Sequence, residues 1–271
     1  TFPPTGAVRG VGGRGYRGRM PSARRPWTEG LPARRLERAR HAELPASDVW
    51  PVTIPAVAQV LAHGIDLAAC TVPVGENGSG KSTLVEALAM AAGMNAEGGS
   101  TGATHRTHAS ESPLHEWVTV VRDPGAPRWG YFVRAETMHG LFTWLDTNPG
   151  PTDPAFHAMS HGESFVTLLG TRRFRGEGLF VLDEPEAGLS FAAQLHLVAE
   201  LAEMARRPRT QVVLATHSPV LAAIPGASVL ELGEHGIRST TWDELDVVTH
   251  HRSFLAEPRR YLRHVIDDLD D

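Results

Sequence analysis

The distribution of apolar residues along the chain follows two patterns. Three short segments are almost continuously apolar: CTVPV (70–74), GLFVLDE (178–184) and TQVVLAT (210–216). Such runs are typical of strands that a parallel sheet buries on both faces. Two other segments, 81–92 and 190–207, carry their apolar residues at helical spacing. Strands of this kind that alternate with helices predict an α/β fold with a mostly parallel sheet and flanking helices.

Further segments also show helical spacing. SHGESFVTLLGTRR (160–173) predicts a helix, LPARRLERARH (31–41) predicts a short surface helix, and PRRYLRHVIDDLDD (258–271) predicts an amphipathic one. The helix at 190–207 is predicted to bury a stripe of four residues: Leu195, Val198, Ala202 and Ala205.

Two pairs of segments predict an antiparallel β portion beside the parallel strands. EWVTVVRD (116–123) and GYFVRAE (130–136), joined by PGAPRW, are predicted to form a hairpin, and SVLELGEHGIRST (228–240) is predicted to form another. Pro73 lies inside the strand at 70–74 and has no amide proton for a sheet hydrogen bond. We therefore expect a local irregularity at that position.

The start of the chain differs in composition from the rest. Its first 40 residues contain ten arginines against Glu29 and Glu37, and they are rich in Gly and Pro. Such a segment cannot bury enough apolar surface to fold alone. It is either a basic arm that contacts nucleic acid or a flexible tail. We predict an arm at 1–41 and one folded domain at 42–271, in which about 101–177 forms a lobe that includes the hairpin.

The whole-chain composition limits the class of protein. A length of 271 residues, 41% of them hydrophobic, is enough for one sizeable core, and the formal charge of −5 gives no sign of a nucleic-acid binder. The single cysteine, Cys70, excludes an intramolecular disulfide and fits a reducing cytoplasm, where we expect the protein to act. Its apolar surroundings predict a buried, unreactive thiol. No apolar run reaches about 18 residues, so no membrane span is expected.

The strongest motif is GENGSGKST at 75–83, which matches the phosphate-binding loop between a strand and a helix. Glycines let backbone N–H groups close around phosphate oxygens, and the helix N-terminus adds partial positive charge. Lys81, the only lysine of the chain, supplies an ammonium that the planar fork of arginine would replace poorly. The Ser82 hydroxyl is placed to hold Mg²⁺. The predicted ATP-binding residues of this loop are Gly75, Glu76, Asn77, Gly78, Ser79, Gly80, Lys81, Ser82 and Thr83.

Two adjacent carboxylates, Asp183 and Glu184, end the apolar run at 178–184. Ligands of open α/β sheets bind at this edge, so Asp183 is predicted to hold Mg²⁺ and Glu184 to orient or deprotonate the attacking water. By itself the pair also fits two acids at a helix N-terminus, but the phosphate loop favours the catalytic interpretation.

The chain resembles the ATP-binding-cassette (ABC) ATPases. GENGSGKST, SHGES (160–164), LFVLDEPEAGLS (179–190) and LATHSP (214–219) come in the order and spacing of that family, and the resemblance covers about 50–265. It is greatest to small soluble ATPases on the SMC/RecF-like side, P-loop NTPases that are also described as AAA-family ATPases. The resemblance implies ATP and Mg²⁺ as cofactors.

The resemblance also implies roles for three further segments. Ser160, Gly162 and Glu163 lie in a segment similar to the ABC signature motif, which in one subunit covers the γ-phosphate held by the other; His161 and Glu163 depart from that motif. The segment 187–190 resembles the loop that couples the two sites. His217 resembles the histidine that senses the γ-phosphate. Taken alone, SHGES also fits a helix cap, and His217 also fits a structural histidine.

One family feature is missing. The family usually has a glutamine between the phosphate loop and the signature, where it touches Mg²⁺ and relays to a partner. The glutamines of this chain, Gln59, Gln194 and Gln211, lie elsewhere. Asn95 and Glu136 are the candidates to replace it, and the missing glutamine argues against coupling to transporter membrane subunits.

These features predict an Mg²⁺-dependent ATPase with catalytic residues Lys81 and Glu184, and the resemblance implies His217 as a third. The resemblance implies two composite sites in an ATP-dependent homodimer. Three roles are open: a DNA- or RNA-associated ATPase in repair, replication or defence; the ATP-binding subunit of a transporter; and a non-catalytic nucleotide-dependent switch.

Overall fold

The computed structural model describes residues 30–101, 112–148, 155, 161–263 and 266. The strands are β1 (Arg35–Arg38), β2 (Ile65–Asp66), β3 (Cys70–Gly75), β4 (Gly99–Ser100), β5 (Val118–Val121), β6 (Gly130–Arg134), β7 (Gly178–Asp183), β8 (Thr210–Ala215), β9 (Ser228–Gly233) and β10 (Gly236–Thr240). The helices are α1 (Pro55–His63), α2 (Lys81–Ala91), α3 (Leu114–Trp117), α4 (Met138–Thr147), α5 (His161–Gly170), α6 (Phe191–Arg206), α7 (Asp246–Ala256) and α8 (Pro258–Leu262).

A seven-stranded sheet forms the centre of the molecule, in the order β10-β9-β3-β8-β7-β6-β4. The five inner strands are parallel, and β10 and β4 run antiparallel at the two edges. Every residue of β7 and of β8 is buried, as their continuous apolar sequences predict. The predicted α/β fold with a mostly parallel sheet, flanking helices and an antiparallel portion is confirmed, and so is the hairpin of β9 and β10.

Two apolar layers cover the two faces of this sheet. Phe180 and Leu182 of β7 belong to the cluster that includes residues of α4, α5 and α6. Leu179 and Val181 of the same strand belong to the other cluster, which includes residues of α1 and α2. Because side chains alternate between the faces of a strand, one apolar run supplies both layers.

A smaller antiparallel sheet, in the order β2-β1-β5, corrects two predictions. The helix predicted at 31–41 is wrong, since this segment contains β1. Both backbone polar groups of Ala33 bond the buried Gln211 side chain, and Arg34 N donates to Val121 O at 2.8 Å. These tertiary hydrogen bonds satisfy the backbone in an extended conformation. Residues 30–41, grouped with the arm by composition, thus pack into the fold.

The hairpin predicted from 116–136 is also wrong, because its two strands lie in different sheets. β6 is buried along four of its five residues and pairs with β7 on one side and β4 on the other. β5 is only half-buried after its first residue and pairs with β1. A strand that is buried on both faces needs an interior position, and the small sheet does not offer one.

The helix α6 buries Ala202 as predicted, but the rest of its buried stripe differs from the one predicted. Leu197, Leu201 and Met204 face the core, whereas Leu195 is 45% exposed. Val198 and Ala205 pack only against the edge of the apolar cluster. Ser190 caps the N-terminus of this helix by accepting a hydrogen bond from Ala193 N.

The irregularity expected at Pro73 is present. The pairing of β3 with β8 covers Cys70 and Thr71, and then only an isolated bridge joins Val74 to Thr216. The Pro73 carbonyl faces β8, since it accepts a hydrogen bond from Thr216 N at 3.1 Å. The proline nitrogen, which has no proton, therefore faces the same strand. Among the described residues, no helix is long and apolar enough to cross a bilayer.

Candidate functional site

The phosphate loop connects β3 to α2, and two of its glycines are required by geometry. Gly80 has a φ of 97°, and a Cβ at this position would lie 2.7 Å from the Cγ2 atom of Ile54. A Cβ at Gly75 would collide with the Leu232 carbonyl oxygen and would lie 2.7 Å from the Ser79 hydroxyl. Only glycine allows the backbone to turn this closely and leave its N–H groups directed inward.

The single lysine lies inside this loop. Lys81 is 3% exposed, its ammonium donates a hydrogen bond to the Glu76 carbonyl at 3.0 Å, and it lies 3.5 Å from Oε1 of Glu184. Ser79 Oγ is buried and has no hydrogen-bond partner within the part of the chain that the structure describes. A buried cation and an orphaned hydroxyl are groups that a bound phosphate would satisfy.

A serine and an aspartate form an oxygen pair next to the loop. Ser82 Oγ donates to Oδ1 of Asp183 at 3.0 Å, at the C-terminal end of β7. Burial raises the pKa of the Asp183 carboxyl to about 6, although the Arg134 guanidinium and the Ser82 hydroxyl act in the opposite direction. Hard oxygen donors of this kind suit Mg²⁺, so these two residues fit the ion that the motif implies.

The predicted catalytic residues meet at the same edge of the sheet. Nδ1 of His217 lies 3.8 Å from Oε1 of Glu184 and 3.4 Å from Oε1 of Glu186. Glu184 has a φ of 49°, which is uncommon for a residue with a side chain, and its amide donates to the Ala215 carbonyl at 2.9 Å. Strained residues of this kind cluster at functional sites.

Glu186 was not identified from the sequence. It is 7% exposed, and its Oε1 accepts hydrogen bonds from Thr216 Oγ1 at 2.5 Å, His217 N at 2.8 Å and Ser218 N at 3.2 Å. The carboxylate therefore ties the loop after β8 to the loop after β7. The sequence signal that could have identified Glu186 is the presence of an acidic residue in the apolar, Gly-containing segment LDEPEAGLS.

Arg134, at the end of β6, was also not identified. Its guanidinium forms an ion pair with the buried Glu86 of α2, and it lies 3.2 Å from Oε2 of Glu136 and 3.5 Å from Oδ2 of Asp183. Arginine counts carry little information in a chain so rich in this residue, so only the pairing of β6 with β7 reveals its position.

The remaining predicted binding residues have different outcomes. Thr83 lies in the first turn of α2, and Glu76, Asn77 and Gly78 are exposed on the loop. Ser160 lies outside the described residues. Gly162 and Glu163 lie in the first turn of α5, and their side chains are also outside the description. The roles of all these residues stay predictions.

The side chains of the three glutamines form hydrogen bonds that link parts of the fold. Gln59 bonds the backbone of Ile237 in β10, Gln194 bonds Ser218 Oγ and the Leu189 carbonyl, and Gln211 bonds backbone groups of Ala33 and Ala68. Of the two proposed substitutes, Asn95 accepts a hydrogen bond from Glu97 N, and the Glu136 side chain is 78% exposed.

A cavity of about 770 Å³ opens beside the first half of the phosphate loop. Its far wall consists of the turn between β9 and β10 and the exposed side of α7. It includes His217 but not Lys81 or Asp183, so it adjoins the cluster of charged residues without containing it.

Sequence comparisons find known proteins that are similar to parts of this chain. A family model described as "AAA domain, putative AbiEii toxin, Type IV TA system" matches residues 155–223. An aliphatic sulfonates import ATP-binding protein of Rhodococcus jostii (strain RHA1) is 28% identical over 169 residues, which are 59% of this chain and 67% of that protein.

Two solved structures overlap more distantly. A "putative metal-chelate type ABC transporter" in an inward-facing conformation has 17% identity and a TM-score of 0.46, over 83% of this chain and 88% of that one. CbiO1 from Clostridium perfringens, part of the ABC transporter complex cbiONQ, has 17% identity and a TM-score of 0.41, over 75% of this chain and 90% of that one.

The family match covers the signature-like segment, Asp183, Glu184 and His217. The strand order places the phosphate loop at the same sheet edge as Asp183, Glu184 and His217. The sequence matches and the arrangement of the site are together similar to those of P-loop proteins of the ABC/AAA ATPase type.

Proposed function

We propose that the chain binds ATP at the phosphate loop and hydrolyses it in the presence of Mg²⁺. The observation that carries the proposal is the convergence of three side chains. The Glu184 carboxylate lies 3.5 Å from the Lys81 ammonium and 3.8 Å from the His217 ring. A phosphate-binding cation, a proton acceptor and an exposed imidazole thus share the sheet edge at which α/β proteins bind ligands.

Each residue has a distinct task in this proposal. The loop backbone and Lys81 bind the phosphate oxygens. Glu184 accepts the proton of the attacking water while the bond between the terminal phosphate and ADP breaks, and His217 contacts that phosphate. Ser82 and Asp183 would hold Mg²⁺, which when bound neutralises phosphate charge.

We further propose that a second copy of the chain completes the site with Ser160, Gly162 and Glu163. A serine and glycine at the start of a helix present a hydroxyl and backbone N–H groups to an anion. The side chains of Glu184 and His217 are 31% and 51% exposed, so the flank of the charged cluster is open to an approaching surface.

The substitution Glu184→Gln tests both parts of the proposal. The amide keeps the size of the side chain but cannot accept the proton, so ATP should still bind while turnover falls by at least about 100-fold. ATP-bound dimers should accumulate, which light scattering after gel filtration would detect. A variant that stayed monomeric with ATP at high protein concentration would contradict the shared site.

Lys81→Ala is the matched binding control. Loss of the buried ammonium should abolish ATP binding measured by calorimetry. Retained affinity would mean that the phosphates lie somewhere other than the loop.

The process in which we place this ATPase is nucleic-acid-associated, in repair or defence. The description of the matching family, a toxin of a toxin–antitoxin system, supports defence. Turnover measured with and without DNA or RNA tests this assignment. Stimulation supports it, and equal rates under both conditions contradict it.

The second candidate is the ATP-binding subunit of a transporter, which the sulfonates import relative favours. Co-purification with a membrane protein would support it. The third, a non-catalytic switch, predicts tight ATP binding without turnover. The presence of Glu184 at the site favours catalysis over this last candidate.

A further inference from the structure

The strand pairing places Arg134 beside the proposed cation site. It is the residue of β6 that stands opposite Asp183 of β7, and its side chain is 19% exposed. Nε of Arg134 lies 3.5 Å from Oδ2 of Asp183, and the guanidinium also pairs with Glu86 and Glu136.

The two oxygens of Asp183 have different neighbours. Oδ1 accepts the hydrogen bond from Ser82, and Oδ2 faces Arg134. Nε of Arg134 is buried and forms no hydrogen bond with the residues that the structure describes. Arg134 and Asp183 therefore attract each other as opposite charges but do not form a hydrogen bond. Oδ2 of Asp183 thus keeps its lone pairs available for a cation.

Arg134 is held from the opposite side. Glu86 is 5% exposed, and its Oε1 accepts a hydrogen bond from Ser112 N at 2.9 Å while its Oε2 pairs with the guanidinium. Because Glu86 is fixed on α2, the helix that begins at the phosphate loop, the positive charge is fixed close to the Ser82–Asp183 pair.

We propose that Arg134 is a positioning residue that lowers the affinity of the Ser82–Asp183 pair for a divalent cation. The guanidinium balances the buried Asp183 carboxylate when no cation is bound, and it repels a second positive charge that approaches the same oxygens. Cation binding is thereby made conditional on the additional negative charge of a nucleotide. This inference rests on the proposed function, in which Asp183 holds Mg²⁺.

The test compares ADP binding in EDTA and at increasing free Mg²⁺ by calorimetry at pH 8.5. Arg134→Gln should leave ADP affinity in EDTA within about twofold of wild type and should lower the half-saturating Mg²⁺ concentration by about tenfold or more, because one repelling charge is removed. An unchanged or higher Mg²⁺ requirement would overturn the inference.

Two variants separate charge from shape. Arg134→Lys keeps the positive charge and should keep the Mg²⁺ requirement within about threefold of wild type. Glu203→Gln removes an exposed carboxylate near the C-terminal end of α6, where it pairs with Arg206, and it should have little effect because water screens that pair. If Arg134→Lys lowered the requirement as much as Arg134→Gln does, the charge argument would fail.

The remaining outcomes distinguish the inference from the proposed function. If Arg134→Gln fails to fold because Glu86 loses its partner, Arg134→Gln/Glu86→Gln removes both charges and should still lower the Mg²⁺ requirement, by less than Arg134→Gln because the Glu86 carboxylate attracts the cation. Absence of ADP binding by the wild-type protein in any condition would overturn the proposed function and the inference together. Mg²⁺-dependent binding that Arg134→Gln does not change would overturn the inference alone.

Discussion

At the scale of single residues, the site is a group of charges that the fold removes from water. Lys81, Asp183 and Glu186 are each less than a tenth exposed, and each has a hydrogen bond or an opposite charge within reach. An unpaired charge in such surroundings would be strongly destabilising. The neighbours of these residues therefore contribute to the stability of the loops that carry them.

The pH dependence of stability follows from Asp183. Burial raises its pKa to about 6 in the folded protein, whereas an unfolded chain has a value of about 3.9. The folded state thus binds more protons between about pH 4 and pH 6. In EDTA, the free energy of unfolding of the wild type relative to Asp183→Asn should fall as the pH rises through this window and be constant above it. Urea titrations at several pH values measure this difference.

Glu244 provides a control of opposite sign. Hydrogen bonds from Thr241 lower the pKa of this exposed carboxyl, so its contribution to stability is lost as the pH falls. Glu244→Gln should therefore lose stability relative to wild type at neutral pH and not in acid. A pH-independent difference between wild type and Asp183→Asn would contradict the argument for Asp183.

The residues that the sequence identified and those that it missed differ in kind. Lys81, Asp183 and Glu184 belong to contiguous motifs whose spacing reports their geometry. Glu186 and Arg134 act through partners far away in the chain, Thr216 and Glu86. Spacing carries no information about such pairs.

At the scale of elements, the phosphate loop depends on one close approach between α1 and α2. Gly80 precedes α2 and faces Ile54, which precedes α1. Gly93, just after the other end of α2, has almost the same φ of 96° but has no atom within 4 Å of the position that a Cβ would occupy. The two glycines thus form a matched pair that separates backbone strain from steric conflict.

Alanine substitutions at these positions should have different effects. Gly93→Ala should destabilise the protein by about 1 kcal/mol through the unfavourable φ alone. Gly80→Ala should cost about 2 kcal/mol more, because the new methyl group collides with Ile54, and it should also weaken ATP binding. Urea denaturation and calorimetry measure the two quantities.

A double-mutant cycle supplies the control. Ile54→Ala should recover part of the loss in Gly80→Ala and none of the loss in Gly93→Ala. Equal losses for the two glycine variants would show that the contact with Ile54 is not limiting.

The two incorrect predictions of secondary structure also have a physical cause. The segments 31–41 and 116–136 contain the local signals of a helix and a hairpin. The structure makes β1 and β5 partners instead and places β6 inside the main sheet. Tertiary hydrogen bonds and burial outweigh a local propensity that is worth only fractions of a kcal/mol per residue.

At the scale of the whole molecule, the two apolar layers on the central sheet should unfold together. Cys70, the only cysteine, begins β3 in the middle of the sheet and is 4% exposed. Burial raises the pKa of its thiol to about 12, so the reactive thiolate is scarce as long as the fold is intact.

This thiol should therefore report global unfolding. In native buffer a thiol reagent should label Cys70 only at the rate of opening of the central sheet, and labelling in denaturant should be complete within the mixing time. Added ATP should slow the labelling of the native protein, because β3 ends at the phosphate loop. The decrease in rate should follow the fraction of the protein that has ATP bound. Mass spectrometry after timed quenching measures both rates.

The lysine substitution separates the two effects. In Lys81→Ala the labelling rate should no longer respond to ATP. Rapid labelling of the wild type in native buffer would show that β3 opens locally, independently of the rest of the sheet.

The sequence by itself determined the α/β class, the phosphate loop and the carboxylates that end β7, because burial on two faces and the approach of backbone to phosphate both require particular residue types at short, regular spacing. Only the tertiary structure decided which strands pair, which face of α6 is buried, and that Arg134 and Glu186 reach the site. Those outcomes depend on contacts between residues tens of positions apart, and the preference of each segment alone is too weak to select them.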